Sequence, residues 1–121
     1  MDIKEIKWLD EGEKEAILEV TQDMKSLICF SCPCLYGLGY TLSEPLECVD
    51  ASDIVLCDTV ECDIKKLEGT FKYKLIGRVK DKENGLIDVN GFDLHIDEKI
   101  IPKDIINGMY IEFVTSRIDV W

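Results

Sequence analysis

Residues 71–96 constrain the fold more than any other stretch of the chain. Phe71, Tyr73, Leu75, Gly77 and Val79 alternate with Lys72, Lys74, Ile76, Arg78 and Lys80. A period of two puts the first set on one face of an extended strand and the second on the other. One face is therefore apolar, and the other is cationic except at Ile76. Gly77, on the inner face, marks a bend or bulge where a sheet curls. After a turn at Asp81–Gly85, Leu86 to Val89 faces Phe92, Leu94 and Ile96 across Asn90-Gly91. Asn-Gly between apolar alternations signals a two-residue hairpin, because a type I′ turn needs positive φ at both positions. One apolar core is expected to gather Phe71, Tyr73, Leu75, Val79, Phe92, Leu94, Ile96, Ile111 and Phe113.

The remaining segments follow the same rule. Ile6 and Trp8 alternate with Lys7. After a turn at Asp10–Glu13, Ala16, Leu18 and Val20 alternate with charged and polar residues. A tight turn near Gln22–Lys25 leads to a third strand, Leu27–Ser31, completing a meander. Cys32-Pro33-Cys34 ends that strand, since proline cannot donate to a ladder. Residues 35–45, with Gly37, Gly39 and Pro45, read as a loop. Leu46–Val49 and Ile54–Cys57 are short apolar pieces. Ile64–Leu67 and Pro102–Gly108 read as short helical turns, and Met109–Val114 and Ile118–Trp121 as closing strands.

The expected fold is therefore all-β and mainly antiparallel: a small OB-like barrel or barrel-like sandwich with one or two short helical turns. The 121 residues fit a single domain, 1–121. The strand Phe71–Lys80, the Leu86–Ile96 hairpin and the segment Ile105–Phe113 carry a resemblance to OB-fold-like β-barrels, as found in small bacterial proteins. That resemblance covers residues 70–121 and implies a fold, not a named activity.

Charge is unevenly placed. Residues 1–64 hold 15 acids against 4 bases, a net of −11, whereas residues 65–121 hold 10 of each. No Lys or Arg occurs between Ser26 and Ile64, a stretch that holds Glu44, Glu47, Asp50, Asp53, Asp58, Glu61 and Asp63. Such a surface repels nucleic-acid phosphates and anionic lipid and attracts basic proteins. It also serves the simpler purpose of solubility. No apolar run approaches the roughly 20 residues that span a bilayer. The first residues lack the layout of an export signal. The expected location is cytoplasmic.

The six cysteines are Cys29, Cys32, Cys34, Cys48, Cys57 and Cys62. Without an export signal, reduced thiols are expected. Cys29 and Cys32, with Cys57 and Cys62, have spacings by which four thiolates could hold Zn²⁺. The competing reading, which we favour, is that they pack as small hydrophobes, so no cofactor is expected. His95, the only histidine, shares the outer face with Asp93 and Asp97 and reads as a solvated strand residue.

No catalytic constellation is recognisable, so the expected function is a non-enzymatic, acidic protein-binding module. Its expected partner is a basic protein, not nucleic acid or membrane. One concrete form is an immunity or inhibitor protein that neutralises a basic toxin. Alternatives are a zinc-stabilised cysteine module and an OB-like binder of nucleic acid or oligosaccharide, using Lys72, Lys74, Arg78 and Lys80. The expected partner-binding residues are Tyr36, Leu38 and Tyr40 as anchors, with Glu44, Glu47 and Asp50 supplying charge.

Overall fold

Each tight turn marked in the sequence joins two neighbouring strands of the computed structural model, which describes residues 1–121. The first three strands, β1 (Asp2–Asp10), β2 (Glu15–Gln22) and β3 (Lys25–Ser31), form the meander. Asp23 and Met24 both take positive φ (48° and 66°), giving a two-residue turn that pairs Gln22 with Lys25. Four short strands follow: β4 (Leu46–Val49), β5 (Ser52–Leu56) and β6 (Asp63–Lys66), then, after the long β7 (Tyr73–Asp81), β8 (Leu86–Val89). Beyond β8 come β9 (Phe92–His95), β10 (Tyr110–Thr115) and β11 (Arg117–Asp119). Asn90 and Gly91 take φ of 51° and 91° and pair Val89 with Phe92.

All strands join one mixed sheet that is not closed. Its order is β1-β2-β3-β11-β4-β9-β8-β7-β10-β5, with β6 added beside β7. Only the β3–β11 and β4–β9 contacts are parallel. The fold is all-β, and one 3₁₀ turn, Glu98–Ile100, is its only helical piece.

β7 organises the core. Its first half pairs with β6, its second half with β8, and its other edge with β10. Tyr73, Leu75, Gly77 and Val79 all face inward and are buried. A Cβ at Gly77 would lie 2.6 Å from Val89 Cγ2 and 2.8 Å from the Asp88 carbonyl oxygen. Glycine is needed there because the β8–β9 hairpin presses on the backbone. Phe92, Leu94, Ile96, Ile111 and Phe113 close around this row, as expected.

Tyr73 also spans the core to β3. Phe30 accepts from the Val120 N–H, so the outward groups of β3 point toward β11, but β11 reaches only that residue. The Ile28 N–H, two residues earlier on the same edge, donates to the Tyr73 hydroxyl at 2.9 Å. The phenol replaces the strand that is missing at that point.

Three expectations are corrected. Phe71 is outside the core, 45% exposed. It sits in the β6–β7 connection, where the Leu67 N–H already bonds the Lys72 carbonyl, so alternation has not yet begun. Ile64–Leu67 is no helical turn: Ile64 to Lys66 pair with β7 along the half-edge that β8 leaves free. Four residues cannot sustain a helix, and the open ladder decides their conformation. Pro102–Gly108 is a series of turns. The Gly108 N–H donates to the Val79 carbonyl, and Asn107 Oδ1 accepts from the Lys82 N–H, so these groups serve β7 and the turn beyond it.

Candidate functional site: an aromatic and acidic surface

The loop after β3 is pinned at both ends and open in the middle. Cys34 and Leu42 are buried. The Cys34 N–H donates to the Lys14 carbonyl at 2.7 Å. Farther on, Ile3 donates to the Tyr40 carbonyl, and Leu42 donates to the Met1 carbonyl. These bonds lay residues 39–42 along the start of β1. Between the anchors, Leu35, Leu38 and Tyr40 have nowhere inward to go and are exposed.

Tyr36 and Tyr40 pack ring to ring, with centroids 4.8 Å apart and planes inclined by 44°. The Tyr36 hydroxyl donates to the Trp121 carbonyl oxygen, which ties the loop to the segment after β11. Ile118 and Val120 point into the core, so alternation turns Trp121 outward, and it is 77% exposed. Trp121 borders three shallow hollows. One is walled by Tyr36, Tyr40, Glu44 and Pro45. A second, of about 430 Å³, is walled by Glu47, Asp50, Ala51, Asp97 and Ile100. The third, walled by Phe30, Cys32 and Asp119, holds Arg117. The first two have no Lys or Arg in their walls.

The structure thus brings five of the six expected partner-binding residues to the first two hollows. Leu38 stands apart, exposed at the loop tip. Trp121 is not among the expected residues; it lies beyond the three-residue β11, and the outward phase set by Ile118 and Val120 is the signal that points to it.

A row of charges crosses the outer face beside the hollows. Asp119 on β11 stands directly opposite Glu47 on β4. Facing carboxylates repel, and each of these two meets a partner of its own. Arg117 meets Asp119 through two bonds, Nε–Oδ1 at 2.6 Å and Nη2–Oδ2 at 2.8 Å. Its guanidinium also stacks 4.3 Å from the centre of the Phe30 ring. The Asp119 hydrogen bond raises the Arg117 pKa further above its ordinary range. His95 Nδ1 lies 2.6 Å from Glu47 Oε2. His95 is therefore half-buried and paired, not the solvated residue its neighbours suggested.

The candidate zinc ligands are scattered. Cys29 faces the core from β3, Cys32 is exposed just beyond that strand, and Cys57 and Cys62 are half-buried after β5 and before β6. No three His, Cys, Asp or Glu side chains converge as metal ligands would. Cys29 and Cys48 both face inward, but β11 runs between their strands. Two strand spacings, about 9–10 Å, exceed the reach of a disulfide. On the cationic face, Lys74 pairs with Glu112 at 3.4 Å and Lys80 with Asp93 at 3.0 Å. No helix is long and apolar enough to cross a membrane. No protein-family profile, curated protein or solved structure matches the chain.

Proposed function

We propose that the chain is a non-enzymatic binding module for a basic protein, and that Trp121, Tyr36 and Tyr40 are its anchors. The observation that carries this reading is the meeting of the aromatic and the acidic hollow at Trp121, neither with a base in its wall, while Arg117 in the third hollow is committed to Asp119. Large rings supply contact area with little rotamer entropy to lose, which suits them to the centre of an interface. Glu44, Asp50 and Asp97 form no salt bridge within the chain, so a cationic partner meets carboxylates free to pair. Their attraction acts mainly on the rate of encounter and fades with salt. An immunity or inhibitor role against a basic toxin, in the cytoplasm, is the concrete form of this proposal.

The test places a photo-crosslinking residue at Leu38, exposed at the tip of the loop that carries Tyr36 and Tyr40, and identifies the protein captured in the source cells. A basic protein is expected. With that protein in hand, Tyr36→Ala and Trp121→Ala should each weaken binding about tenfold or more, as loss of a central anchor does. Replacing Glu44, Glu47 and Asp50 with Lys should slow association at low salt. An acidic captured protein, an unchanged association rate, or tight binding of single-stranded DNA by the unmodified chain would refute the proposal.

A further inference from the structure

The two ends of the open sheet are not treated alike. At one end, β1 carries Lys4 and Lys7, two register shifts, and the 39–42 segment bonded along its start. These are the usual means of blunting an edge. At the other end, β5 carries neither Lys nor Pro, and no strand lies beyond it. Its single register shift lies between Val55 and Ser52, where Asp53 takes positive φ, leaving Val55 and Leu56 in regular register.

The direction of the free groups follows from the ladder. The Cys57 N–H donates to the Tyr110 carbonyl, and Leu56 and Val55 stand opposite Ile111 and Glu112. In an antiparallel pair, residues alternate between bonding the neighbour and pointing away. Cys57 and Val55 therefore face β10, and the N–H and C=O of Leu56 point outward, away from it. Val55 and Leu56 are 51% and 54% exposed, on opposite faces. An added strand would bond Leu56 and cover both side chains.

We propose that the β5 edge receives an extended, cationic segment of a partner protein as an added antiparallel strand. Charge selects this occupant. Asp53 and Asp58 flank the free segment, and no base occurs from Ser26 to Ile64. A second copy of the chain would set these acids against their own counterparts, whereas alternating Lys or Arg would meet opposite charge on each side. The acids thus reject self-pairing and admit a basic strand. The proposal stands independently of the aromatic surface.

The test uses the full chain and two synthetic peptides, one alternating Lys with Val and one alternating Glu with Val. Hydrogen exchange read by NMR should show the amide of Leu56 slowed by the Lys peptide and unaffected by the Glu peptide. Leu56→Pro removes an outward N–H without breaking the β5–β10 ladder, and should weaken binding at least tenfold. Val55→Lys, which keeps every backbone group, should do the same by repulsion, so the test survives if the proline variant is unfolded. Trp121→Ala should leave peptide binding unchanged, which separates this site from the anchors. Equal binding of the two peptides, protection elsewhere only, or concentration-dependent self-association protecting Leu56 would overturn the proposal.

Discussion

Cys29 and Cys48 make the fold sensitive to alkali. Both thiols are buried, and desolvation is the main cause that pushes each above its ordinary 9.0. Neighbouring acidic groups add to it: Cys48 and Asp119 for Cys29, and Glu47 for Cys48, where a Thr115 hydrogen bond works the other way. The native state holds protons that the unfolded chain releases. Stability is therefore intact below the unfolded pKa and is lost as pH rises above it. With an unfolded pKa of about 9, a thiol that stays protonated in the native state forfeits about 2 kcal/mol at about pH 10.5, and the pair about 4 kcal/mol. That is a large share of the roughly 5–15 kcal/mol that holds a domain together. Urea unfolding of the wild type and of Cys29→Ala/Cys48→Ala, both under reductant, measures it. The double variant starts lower at neutral pH because two core side chains are trimmed, but the gap should close by about 4 kcal/mol at about pH 10.5. Tyr73, whose phenol burial also raises, is common to both proteins and cancels. Equal losses of stability in the two proteins would refute the reasoning.

Three further outcomes are expected. Leu94→Ala should cost about 2–5 kcal/mol in urea unfolding, since the side chain is fully buried at the centre of the core. Tyr73→Phe should cost about 1–3 kcal/mol with an unchanged denaturant slope, because it strands the Ile28 N–H while keeping the ring in place. In the native protein at neutral pH a thiol reagent should modify Cys32 first and Cys57 and Cys62 more slowly, with Cys29, Cys34 and Cys48 reacting only on unfolding; this is read by mass spectrometry of labelled peptides.

Where residues alternate over five or more positions, their faces were legible from the sequence. Ala16, Leu18 and Val20, then Tyr73, Leu75 and Val79, point inward as the pattern requires. The turns at Asp23-Met24 and Asn90-Gly91 were equally local, fixed by the residues that occupy them. What failed depends on pairing at a distance. Ile64 becomes a strand residue only because β8 stops short of the first half of β7, and Phe71 is exposed only because a hairpin closes behind it. His95 meets Glu47 because β4 and β9 lie side by side in parallel, with 47 residues of chain between the two. No local period encodes that neighbour. Tyr36, Tyr40, Glu44, Glu47 and Asp50 could be grouped beforehand because they are close in sequence. Trp121 could not, since it joins them through the β3–β11 and β11–β4 contacts.

The charge row explains why the acidic surface stays acidic after folding. The base-free stretch draws partners from elsewhere in the chain: the fold brings the Arg117 guanidinium to Asp119 and the His95 ring to Glu47. Both are committed where repulsion is worst, at the facing carboxylates of Asp119 and Glu47. Arg117 is further held by the Phe30 ring, and Asp50 acts on it without forming a salt bridge. Lys74 and Lys80 are committed to Glu112 and Asp93 on the other part of the sheet. Glu44, Asp50 and Asp97 are left around Trp121 without a salt bridge. Exposed carboxylates in water bear this cheaply, because a high dielectric makes their mutual repulsion small. The repulsion grows when an apolar partner covers them and shrinks when a cationic one does. The same folded arrangement that tolerates these acids in solvent therefore favours a basic occupant once water is displaced.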